Sequence, residues 1–146
     1  MQWDTDANAG FTAAGVKPWL PVPPSYSTVN VKAEQASPDS LLAWYRSLIQ
    51  LKKTNAAFAQ GNNIMLDTAN TKVLSWLRQA PGSADVVVSV NFTAEPQTVS
   101  LVIPGASPGA SGKVTTLLKT PGAPDSASLG AIQVGPFGVY IGEVQQ

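Results

Sequence analysis

The sequence predicts a mainly β chain: an antiparallel sandwich or barrel, led by one amphipathic helix and a long irregular N-terminal segment. Three observations carry this reading. Residues 38–54 repeat apolar side chains at helical spacing, residues beyond about 60 form short β-branched and aromatic runs between turn clusters, and residues 1–36 are interrupted by proline. At 146 residues the chain is long enough for one ordinary domain and short for two.

Within residues 1–36, Pro18, Pro21, Pro23 and Pro24 cannot donate to a helix or a sheet ladder, which argues for irregular backbone. The same segment carries Trp3, Phe11, Trp19, Leu20 and Tyr26. A loop so rich in aromatics is expected to lie against a neighbouring surface. The helix follows. Ser37 can cap it, Pro38 suits the first helical position, and Asp39 complements the helix dipole. Leu41, Leu42, Tyr45, Leu48 and Ile49 then fall on one face, Trp44 and Leu51 widen the stripe, and Lys52 and Lys53 occupy the last turn. Strands are expected at 64–66, 73–78, 86–92, 98–103, 113–118, 131–134 and 139–144. Asn62-Asn63, the stretch 80–83 and the Pro/Gly/Ser stretch 104–112 read as turns between them. Val86-Val87-Val88 is apolar without alternation, which suits a central strand covered on both faces.

Composition removes several function classes. A hydrophobic fraction of 44% supports a buried core and argues against wholesale disorder. Nine basic and nine acidic residues balance, leaving no basic field for nucleic acid or an anionic membrane. Without His or Cys there is no imidazole base, no thiol nucleophile, no disulfide and no usual zinc site. No apolar run approaches the roughly 18 residues of a membrane helix, and no basic-then-apolar leader is visible. No cofactor and no metal is implied.

Local motifs fail on chemistry. Gly105-Ala-Ser107-Pro-Gly109 matches G-x-S-x-G, but Pro108 has no N–H for an oxyanion hole, so a surface turn is expected. Asp4-x-Asp6-x-Asn8 resembles the opening of a calcium loop, yet Ala9 and Gly15 stand where the Gly and the bidentate Glu belong. Asp67, Asp85, Glu95, Asp125 and Glu143 are scattered beside turns or a strand end, which favours solvation over a paired-carboxylate site. Asn91-Phe92-Thr93 is a formal glycosylation sequon inside a strong strand. Trp44, Tyr45, Trp76 and Tyr140 could form a sugar-stacking platform, though their helical or alternating placement favours core packing.

Longer strings carry more information. Met1-Gln2-Trp3-Asp4 followed by Asn8-Ala9-Gly10-Phe11-Thr12 resembles a signature of glycoside hydrolase family 13, in its oligo-1,6-glucosidase, α-glucosidase and trehalose synthase branches. The likeness continues through Pro18–Val22, Tyr26, Val29–Val31, Pro38–Leu42 and Tyr45–Lys53, and again at Val73–Arg78 and Val86–Phe92. Pro23 and Ser25 depart from it, where the family often has Asn. The resemblance implies a Greek-key β-sandwich of the α-amylase C-terminal type. It divides the chain into an arm left from the end of a catalytic barrel (1–36), a helix equivalent to the last barrel helix (37–55) and the sandwich (56–146). It also implies that the family's catalytic carboxylates lie N-terminal to this segment, so no catalytic residue is assigned. Gln2, Trp3 and Asp4 would lie at the rim of the parent's substrate pocket. The expected role is a structural or interaction domain of an α-glucosidase-like hydrolase, inactive alone, binding α-glucoside or α-glucan weakly at most. A homo-oligomer is expected through surfaces that face the barrel in the parent, with arm exchange as one form. The alternative is an independent α-glucan-binding module. The compartment is left open between bacterial cytoplasm and periplasm or secretion.

Overall fold

The computed structural model describes residues 1–105 and 112–145. The chain divides into two compact units, Met1–Gln50 and Leu51–Gln146.

The first unit holds more regular structure than its prolines suggest. Two 3-10 turns, Ala7–Gly10 and Pro24–Ser27, precede helix α1 (Val31–Ala36), and helix α2 (Leu41–Thr54) starts here. The first N–H groups of any helix lack partners within it. In α1 each finds one: Asn30 Oδ1 accepts from Ala33 N–H at 2.8 Å, and Val31 and Lys32 donate to the main-chain oxygens of Gln2 and Trp3 at 2.9 and 3.0 Å. Helix α2 begins at Leu41, later than the expected residue 38. Ser40 caps it instead of Ser37, accepting from Ala43 N–H at 3.1 Å, while a Glu34 carboxylate oxygen accepts from Leu42 N–H at 2.8 Å.

The second unit is the sandwich. After helix α3 (Ala56–Gln60) come β1 (Asn62–Leu66), β2 (Val73–Gln79), β3 (Val86–Asn91), β4 (Gln97–Val99), β5 (Lys113–Lys119), β6 (Ser126–Ser128), β7 (Ile132–Val134) and β8 (Val139–Val144). They form a six-stranded sheet in the order β1-β2-β3-β8-β5-β6 and a two-stranded sheet β4-β7, all pairs antiparallel. Strands β4 and β7 cross to the second sheet, and β8 returns to lie between β3 and β5, a Greek-key pattern of connections. The core lies between the two sheets. Leu66, Leu77, Val87, Val114 and Tyr140 from the larger one meet Val99, Ile132 and Val134 from the smaller, with Leu101 and Ile103 closing one side.

Three local expectations change. Asn62 and Asn63 are not a turn; they start β1, opposite Gln79 and Arg78, where an exposed edge strand tolerates polar side chains. The expected strand 98–103 stops at Val99. Leu101 and Ile103 are buried without a ladder, and Leu101 N–H donates to Leu129 O at 2.7 Å. Strand β6, Ser-Ala-Ser, has no apolar signal and forms because β5 offers it a partner. Strand β3 is central as expected, with Val86, Val87, Val88 and Ser89 all buried. Arg78 on neighbouring β2 donates to the Ala57 and Phe58 carbonyls of α3, at 3.2 and 3.1 Å.

Candidate functional site

Gln2, Trp3 and Asp4 are fixed by their main chain. Their carbonyls at Gln2 and Trp3 receive the α1 N–H groups, and Trp3 N–H donates to Ala9 O at 3.0 Å. Opposite them the chain makes a left-handed turn: Asn8, Ala9 and Gly10 have φ of 58°, 54° and 74°. Such backbone costs energy in non-glycine residues, and local bonds hold it. The Asn8 amide donates to Thr12 Oγ1, Ala13 O and Val16 O at 2.8, 3.2 and 2.8 Å, and Ala9 is wholly buried. A Cβ on Gly10 would stand 3.0 Å from Trp3 Cβ and 3.1 Å from Asp4 Oδ1. Only glycine lets the turn approach residues 3 and 4 so closely.

The three side chains then diverge in role. Asp4 Oδ1 accepts from Asp6 N–H at 3.0 Å, so it shapes its own loop. The Trp3 side chain is 56% exposed. Gln2 lines a cavity of about 390 Å³ with Phe11, Trp19, Leu20 and Val22 among its other walls. Trp3 and Asp4 are not in that wall. Sequence reasoning missed Phe11 and Trp19 as cavity residues, although the aromatic excess of residues 1–36 was the available signal. Trp19 is 94% exposed, so the cavity opens on an apolar surface.

The remaining candidates are structural. Tyr140 is fully buried, with its hydroxyl 3.1 Å from Thr116 Oγ1, which removes it from any sugar platform. Burial pushes its ionisation above the ordinary phenol value, partly offset by the Thr116 hydroxyl and the Lys119 charge. Trp44 and Trp76 are half-buried and Tyr45 is exposed. The sequon residue Asn91 is buried, its amide donating to Glu95 O and Gly135 O at 2.8 and 2.9 Å, which ties the β3 end to the loops around it. Lys119 Nζ sits 2.7 Å from an Asp125 carboxylate oxygen and holds that carboxyl below its usual range, opposite to what a general acid requires. Asp67 accepts from the Asn70 amide and Asp85 from the Gln79 amide. Among the described residues no cluster of three or more acidic side chains could hold a metal ion, and no helix is long and apolar enough to cross a membrane. Ser107, the centre of the G-x-S-x-G match, lies outside the described residues.

The family model described as "Alpha amylase, catalytic domain" matches residues 1–61. Over 101 residues the chain is 37% identical to a glucan 1,6-alpha-glucosidase of Streptococcus pneumoniae, covering 69% of this chain and 18% of that protein. It is 37% identical over 93 residues to an oligo-1,6-glucosidase of Parageobacillus thermoglucosidasius, covering 64% of this chain and 16% of that one. Among solved structures, the trehalulose synthase MutB of Pseudomonas mesoacidophila superposes with a TM-score of 0.80 at 32% identity, over 99% of this chain and 24% of that chain. The chain thus spans less than a fifth of the length of these curated relatives.

Proposed function

Since the chain belongs to the α-amylase family of glycoside hydrolases, we propose that it is the C-terminal part of an α-glucosidase-like enzyme and is catalytically inactive alone. In the whole enzyme, α-glucosidic bonds would be hydrolysed by a retaining pair of carboxylates, which must stand about 5–5.5 Å apart across the scissile bond. One observation carries the proposed inactivity. The cavity in the part that matches the catalytic-domain model is walled by apolar residues with Gln2 and Thr12, and no Asp or Glu lines it. Thr12 is already bonded to Asn8 and Val16.

In this reading residues 1–36 are the end of the catalytic barrel, 37–55 its last helix and 56–146 the C-terminal sandwich. Gln2, Trp3 and Asp4 stand at the rim of the whole enzyme's pocket, where Trp3 offers a ring face and the locked backbone fixes its position. The chain's own role is structural, and its exposed apolar surface drives self-association.

The test is glucose release from maltose and isomaltose by the purified chain, with boiled protein as control. No release above control is expected. Release that disappears when a single carboxylate, such as Asp4 or Asp39, is changed to the amide would overturn the proposal.

A further inference from the structure

We draw no further inference here: the strongest candidate, the exposed apolar patch of Phe92 and Phe137 on the loops after β3 and before β8, which the bond from Phe137 N–H to Thr93 O holds together at 2.9 Å, carries nothing because nothing in the structure shows what covers it.

Discussion

At the scale of single residues, Gly142 in β8 leaves no room for a side chain. A Cβ there would overlap a methyl of Val114 and stand 2.8 and 2.9 Å from Tyr140 Cε1 and Oη. The Tyr140 ring lies back over the glycine two residues on, which is what a glycine inside a strand commonly permits. Gly142→Ala is expected to cost about 1–3 kcal/mol, the range for overpacking a core, as a lower urea midpoint; an unchanged midpoint would show that the ring has room to move. Tyr140 also predicts a pH dependence. Its pKa is raised in the folded chain, so the folded state holds the proton more tightly than the unfolded state. The stability linked to it is complete below the ordinary phenol value of about 10 and is lost as pH rises from there through the raised value of the folded chain. Urea midpoints measured from pH 8 to 11 are expected to fall more steeply in the unmodified chain than in Tyr140→Phe, and parallel slopes would refute this. The burial of Tyr140 was legible from its alternating position in an apolar strand, but the glycine that makes space for it was not, because the contact is made in three dimensions.

Elements were legible where the signal is local. The periodicity of α2 announced the helix, but not its start. Ser37-Pro38-Asp39 has the chemistry of an N-terminus, yet the caps come from Ser40 and from Glu34, a carboxylate acceptor eight residues before its donor Leu42 N–H. Ser40→Ala is therefore expected to lose about 0.5–2 kcal/mol, the usual cost of a removed cap, and Ser37→Ala much less. Comparable denaturation midpoints for the two variants would return the cap to Ser37. Helix α1 was missed because its donors are satisfied by the carbonyls of Gln2 and Trp3, close to thirty positions earlier in the chain. Strand β6 was missed for a similar reason: Ser-Ala-Ser is a strand only where β5 is already paired on its other side. The candidate site followed the same rule. Its backbone motif could be read from the residues at 1–12, whereas the cavity, which forms only where residues 18–23 meet Met1, Gln2, Phe11 and Thr12, could not.

For the molecule as a whole, the sandwich was expected and is present, and the sugar platform loses Tyr140 to the core. Titration with soluble starch or maltooligosaccharides is expected to give no saturable binding at millimolar sugar; a saturable curve would revive the glucan-module alternative. The order of strands has one more consequence. Strand β8, the last in sequence, is bonded to β3 on one side and to β5 on the other, so it alone joins the two halves of the larger sheet. A chain emerging from the ribosome can zip β1, β2 and β3 into a meander as it appears, but β5 and β6 have no sheet to join until residues 139–144 have cleared the exit tunnel. Until then the inner edge of β3 is an open template for any passing strand. The vulnerability of this fold during synthesis is thus concentrated in the interval between making β3 and releasing β8, and a slow or stalled ribosome lengthens that interval.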